Sequence, residues 1–172
     1  MSHNLNLSYT PDQELVLSRT FDAPRELVYR AWTEAERLAK WWGPAGFAIE
    51  VAKLELRPGG LFHYSMTLPD GHQMWGKFVY LEIKAPERIT FINCFSDPEG
   101  NITRAPFSAT WPLDVYNVLT FVESAGKTTV TLRGGPVNAT QEEVDTFVAG
   151  RASMQQGFGG TFDQLAAYLA NA

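Results

Sequence analysis

The sequence has little cysteine, no surplus of positive charge and no long apolar run. Its single thiol, Cys94, excludes an internal disulfide framework and suits a reducing compartment such as the cytoplasm. Lys and Arg number 14 against 19 Asp and Glu, a formal charge of −5, so nothing draws nucleic acid or an anionic membrane to the chain. Acidic substrates gain no long-range steering either. No window approaches the roughly twenty apolar residues of a membrane helix, and no apolar run follows a basic start, so neither a span nor a signal peptide is expected. The signatures CxxC, HExxH, GxSxG, GxGxxG and the P-loop are missing. His3, His63 and His72 share no ligand spacing, whereas zinc needs three or four converging ligands. Neither a metal nor a cofactor is expected.

Aromatics are what the chain has in plenty, at 13% with five Trp and eleven Phe. They fill cores efficiently, and they also line cavities for apolar ligands. A length of 172 residues fits one domain able to bury a core. Residues 1–12 are polar and end in Thr10-Pro11-Asp12, which reads as a flexible arm ahead of a single domain over 13–172.

Leu15, Leu17 and Phe21 alternate with Ser18 and Thr20, predicting a first strand. Asp22 is placed to cap a helix with Pro24 in its first turn, where Leu27, Val28, Ala31 and Trp32 share a face. Thr33 and Glu36 have capping-box spacing for a short second helix carrying Leu38, Trp41 and Trp42, which Gly43-Pro44 ends. The period then becomes two. Phe47, Ile49 and Val51 share one parity and Leu54 and Leu56 the other, which predicts a bulge or bend near Ala52-Lys53.

Pro69-Asp70-Gly71 fits a type I turn with glycine in the left-handed bulge position. Such a loop sets Met66 opposite Met74, Tyr64 opposite Gly76 and Phe62 opposite Phe78, whereas a two-residue turn would slip the register by one. Phe62, Tyr64, Met66, Met74, Phe78 and Tyr80 then form an inner face, with His63, Ser65, Thr67, Gln73 and Lys77 outside. A strand is expected at 89–95, a long loop or ragged hairpin over 96–112, and a last hairpin of 113–122 with 128–132. Gly134-Gly135-Pro136 is expected to separate that hairpin from a closing helix.

The closing pattern, over 140–171, opens on a Thr140–Glu143 capping box. Phe147, Val148, Met154, Phe158, Phe162, Leu165, Ala166 and Leu169 gather on one helical face, but Arg151 and Gln155 lie inside that stripe. If the helix is unbroken, Arg151 faces the sheet and needs a partner, with Glu82, of the same parity as Phe78 and Tyr80, at hand. A break at Gly150 instead resets the phase and turns Arg151 to solvent; snorkelling from the helix end is a third option. Gly157, Gly159 and Gly160 hint at a kink or a close backbone approach.

Strands joined by hairpins, with helices segregated from them, predict an α+β fold with antiparallel pairing. The run Phe21-Asp22-Ala23-Pro24-Arg25-Glu26-Leu27-Val28-Tyr29-Arg30-Ala31-Trp32-Thr33, followed by Trp41-Trp42-Gly43-Pro44, resembles the family of homologues of the activator of the heat-shock-protein ATPase, in the START-like superfamily. Pro58-Gly59-Gly60, Asp70-Gly71, Gly76, the Pro86-Glu87-Arg88 turn and the tail around Leu165-Ala166-Ala167-Tyr168-Leu169 extend the resemblance over nearly the whole chain. It implies a helix-grip fold: a curved antiparallel sheet of about six or seven strands wrapped around a long C-terminal helix, two short helices after the first strand, and a cavity between sheet and helix. It carries over no shared catalytic residue.

Under that fold the cavity is expected to be lined by Phe62, Tyr64, Met66, Met74, Phe78, Tyr80, Glu82, Phe91, Arg151, Met154 and Phe158. The same apolar face is also what a plain core would show. Trp41, Trp42 and Trp111 either close the mouth or pack beneath loops. Cys94, beside Asn93, reads as a small buried hydrophobe rather than a nucleophile, because no histidine is placed near it. The leading expectation is a binding module for a small apolar molecule. An enzyme of cyclase, dehydratase or hydrolase type in the same cavity is the alternative. A co-chaperone-like interaction domain ranks third, since a chain of this length leaves no room for a second, chaperone-contacting domain. Homodimerisation is left open.

Overall fold

The computed structural model describes residues 8–44 and 46–171, so His3 and most of the expected arm lie outside it. The opening alternation becomes β1 (Leu15–Phe21), followed by α1 (Arg25–Thr33) and α2 (Ala35–Trp41). Neither helix starts as the sequence predicts. Pro24 holds the cap position of α1, and the Arg25 amide donates to Glu123 Oε1 at 3.0 Å. A carboxylate from a distant strand thus meets the helix terminus in place of Asp22. Thr33 ends α1 with its hydroxyl donating to Tyr29 O at 2.9 Å, so it forms no box with Glu36, and Glu34 stands at the cap of α2.

Seven strands form one antiparallel sheet in the order β1-β7-β6-β5-β4-β3-β2. The others are β2 (Ala48–Leu54), β3 (Leu61–Thr67), β4 (Gln73–Lys84), β5 (Arg88–Ser96), β6 (Asp114–Ser124) and β7 (Lys127–Val137). Edge strand β2 slips register between Val51 and Lys53, the bulge that the parity switch predicts. The Pro69-Asp70-Gly71 loop fixes β3 on β4 as expected. Leu68 N donates to His72 O at 2.8 Å, Gly71 sits at φ +92°, and Met66, Tyr64 and Phe62 pair with Met74, Gly76 and Phe78. Ala125 and Gly126, at φ 55° and 77°, make the two-residue turn between β6 and β7.

Strand β7 runs on through Gly134-Gly135-Pro136 instead of ending before them. Neighbouring side chains lie flat across both glycines: a Cβ at Gly134 would stand 2.3 Å from Asn117 Oδ1, and one at Gly135 2.6 Å from the Tyr9 ring. The outer sheet face is not wholly solvated either. His63 and Ser65 are 7% and 1% exposed, and the loop after β5 folds over His63. His63 Nε2 lies 3.2 Å from Ser96 Oγ and from Asp97 O, and Lys77 Nζ donates to Gly100 O at 2.8 Å.

The closing pattern is two helices, α3 (Gln141–Ala149) and α4 (Arg151–Ala170), broken at Gly150. The capping box forms, with Glu143 N donating to Thr140 Oγ1 at 3.2 Å and Thr140 N to Glu143 Oε1 at 2.8 Å. The break resets the helical phase, so Arg151 does not face the sheet. Its Nη1 donates to the carbonyls of Asp12 and Glu14 at 2.8 and 3.2 Å, tying α4 to the chain ahead of β1. Gln155 is exposed. Phe162, Leu165 and Leu169 are buried against the inner sheet face and the two short helices, in one core with Trp32 and Trp41.

Gly157, Gly159 and Gly160 lie within α4, and a Cβ at any of them would meet nothing within 4 Å. No close approach requires them. Gly160→Ala is therefore expected to raise stability by about 0.5–1 kcal/mol, the helix-propensity difference. Calorimetric melting checks this, and a lowered melting temperature would refute it.

Candidate functional site

Between α4 and the inner face of the sheet lies a cavity of about 680 Å³. Trp42, Tyr64, Met66, Met74, Phe95, Trp111, Phe147, Met154 and Phe158 supply most of its wall. Two glycines give it depth. Tyr64 lies across Gly76, where a Cβ would stand 2.7 Å from the phenol oxygen, and Asn117 lies across Gly134. Either residue would project into the hollow if its glycine carried a side chain.

Polar groups are few. Burial drives the Tyr64 phenol well above the usual tyrosine range, so it stays protonated. The Trp42 indole lies near enough to that oxygen to favour the ionised form slightly, yet short of hydrogen-bond geometry: its buried Nε1 has no partner. Asn93, opposite Phe78, and Asn117, opposite Phe91, put amides on the same inner face, and Asn117 Nδ2 donates to Val115 O at 3.0 Å. Thr161 Oγ1 donates to Gly43 O at 3.1 Å, fixing α4 to the end of the α2 loop. Among the described residues, no Asp, Glu, Lys, Arg or His belongs to the lining.

The mouth is framed by the loop between β5 and β6. Phe107, 63% exposed, packs edge-on against Phe95 and Trp111 at 5.5 and 5.7 Å. Arg104 holds this loop to α3, donating to Trp111 O at 3.1 Å and pairing with Glu143. That pairing, with the Thr140 amide, keeps the Glu143 carboxyl below the usual glutamate range.

Of the residues expected in the cavity, Tyr64, Met66, Met74, Met154 and Phe158 line it. Phe62, Phe78, Tyr80 and Phe91 do not. They are core, all at most 4% exposed, with Phe78 stacked on Phe91 at 4.1 Å and perpendicular to Phe62 at 5.1 Å. Trp42 stands over Phe62 and Phe78, at 6.4 and 5.4 Å, between them and the hollow. Glu82 is turned outward because β4 slips register between Tyr80 and Glu82, reversing the parity; its carboxylate takes a hydrogen bond from Arg88 Nε at 2.8 Å. Arg151 is occupied by backbone carbonyls, as described.

Trp41 is core, its Nε1 donating to Ala31 O at 3.0 Å, whereas Trp42 and Trp111 belong to the wall. The sequence places neither Asn93, there only a neighbour of Cys94, nor Asn117 in the site, although each interrupts an inward-facing apolar series, Phe91–Phe95 and Val115–Phe121. Cys94 is buried, its Sγ 3.4 Å from Asp114 Oδ1, and burial, with the neighbouring carboxylate, pushes the thiol up to about 12. It stays protonated, which suits the reading as a small hydrophobe. Among the described residues no group of three or more His, Cys, Asp or Glu is placed to hold a metal, and no helix is long and apolar enough to cross a membrane.

Residues 22–170 match the family of Activator of Hsp90 ATPase homolog 1-like proteins. Among solved structures, protein Ms6760 from Mycobacterium smegmatis is 26% identical with a TM-score of 0.76, the match covering 97% of this chain and 96% of that one. A protein from Arthrobacter aurescens is 22% identical, TM-score 0.79, over 98% and 92% of the two chains. A protein of the dynemicin biosynthetic locus is 17% identical, TM-score 0.63, over 93% of this chain and 48% of that one. The last two share the fold. No curated protein matches the chain.

Proposed function

Since the chain belongs to the Activator of Hsp90 ATPase homolog 1-like family, we propose that it is a binding module for a small, largely apolar molecule held between the sheet and α4. The observation that carries this is the cavity of about 680 Å³ with aromatic and thioether walls and, among the described residues, no ionised side chain. Its volume is in the range of small-molecule sites, which are mostly apolar with a few placed polar groups. The protonated Tyr64 and Cys94 support binding over acid–base turnover, because neither is poised near neutral pH to take a proton.

Native mass spectrometry and thermal melting against a panel of lipids and aromatic metabolites test the reading. A binder present at about a hundred times its Kd stabilises by about 2.7 kcal/mol, a rise in melting temperature of roughly 5–11 °C for a domain of this size. Trp42 and Trp111 line the cavity, so the same ligand is expected to change the intrinsic fluorescence. Absence of any one-to-one complex and any thermal response across the panel would refute it.

A further inference from the structure

We propose that the cavity selects neutral molecules carrying a hydrogen-bond acceptor, which Tyr64 receives through its hydroxyl hydrogen, and rejects their carboxylate analogues. The inference rests on the binding reading above and names the ligand class for it.

The first support is the distribution of charge. An ion taken from water into an apolar site needs an opposite charge or several hydrogen bonds. Among the described residues, no cationic side chain lines the cavity. Of the cations on nearby elements, Arg104 pairs with Glu143, Arg19 with Asp163, Arg151 donates to the carbonyls of Asp12 and Glu14, and Lys77 donates to Gly100 O. A carboxylate would enter without a counterion.

The second support is a pair of donors without acceptors. Trp42 Nε1 is buried and unpartnered. The Tyr64 oxygen lies over Gly76, where a Cβ would stand 2.7 Å from it, and both residues border the hollow. The ring is also held in place. It lies flat over Gly76 and packs against Phe62 with centroids 4.7 Å apart and against Phe78 at 6.1 Å. A fixed, desolvated donor favours a carbonyl or ether oxygen over an apolar group of the same shape, because the oxygen alone satisfies it.

Three near-isosteric probes separate these terms: 9-acetylphenanthrene, 9-ethylphenanthrene and phenanthrene-9-carboxylate, each titrated calorimetrically at pH 7. The ketone is expected to bind about 5–10-fold more tightly than the hydrocarbon, the worth of one hydrogen bond. The carboxylate is expected to bind at least about 100-fold more weakly than the ketone, and to recover about tenfold per pH unit as acid neutralises it. Tyr64→Phe should erase the ketone's advantage and leave hydrocarbon affinity unchanged. Met154→Arg, which places a cation on the wall, should restore carboxylate binding, so a poorly folding Tyr64 variant does not end the test. If the carboxylate binds wild type as tightly as the ketone, if Tyr64→Phe keeps the ketone preference, or if only anions of the wider panel bind, the inference is overturned and the binding module stands. If nothing in either set binds, both fall.

Discussion

Phe162→Ala is expected to lower the unfolding free energy by about 3–5 kcal/mol, and the melting temperature by roughly 6–20 °C. Phe162 is 3% exposed at the point where α4 meets β1 and α1. Phe21 and Trp32 stand edge-on to it at 6.0 and 6.3 Å, and the Arg19 guanidinium lies 5.9 Å over its ring. Those neighbours belong to a strand and a helix held by their own hydrogen bonds, so little can collapse into the vacated space. Phe158, one turn earlier, already borders the cavity and is half-buried. Phe158→Ala is accordingly expected to cost less than half as much. Equal losses in denaturant titrations of the two variants would mean that the hollow beside Phe158 is closed in solution.

Acid is expected to loosen the fold through Glu143. Its pKa is lowered in the folded state, first by Arg104 and then by the Thr140 amide. A lowered folded pKa gives stability that is complete above the ordinary glutamate value and disappears as pH falls through the lower folded one. The residue is 7% exposed but its partner Arg104 is about half exposed, so solvent still screens the pair. Glu143→Ala removes both the cap and the ion pair and is expected to cost about 1–3 kcal/mol at pH 7. Glu143→Gln keeps an N3 side chain able to reach the cap amide and removes only the charge. The gap between wild type and Glu143→Gln should be widest at pH 7 and close toward pH 3. A gap independent of pH would show that the carboxylate's charge contributes nothing.

Local chemistry in the sequence was enough for the register of β3 on β4 and the start of α3. Pro69-Asp70-Gly71 is sufficient for its turn, and Thr140 and Glu143 need only each other. Features set by distant residues were not legible. The cap of α1 comes from Glu123, on a strand far along the chain. The slip after Tyr80 has no glycine or proline to announce it, so parity placed Glu82 on the wrong face. Distinguishing cavity from core was harder still, because alternation reports which way a side chain points and not what stands opposite. Phe78 and Phe95 both point inward, yet Trp42 covers one and the hollow meets the other. Gly150 offered two phases for the helix after it, and choosing between them required the carbonyls of Asp12 and Glu14 that hold Arg151.

The slipped pairing of β2 bears on how copies of this protein meet in a crowded solution. β2 is one of the sheet's two outer strands, and an outer strand offers unpaired amides and carbonyls on which another chain can polymerise. The irregularity between Val51 and Lys53 interrupts that straight template, and the exposed charges of Glu50 and Lys53 flank it. An incoming strand would lose hydrogen bonds there and crowd those charges. Fibril-like growth from this side of the sheet is thereby discouraged, and concentrated solutions are expected to stay clear of ordered aggregates seeded there.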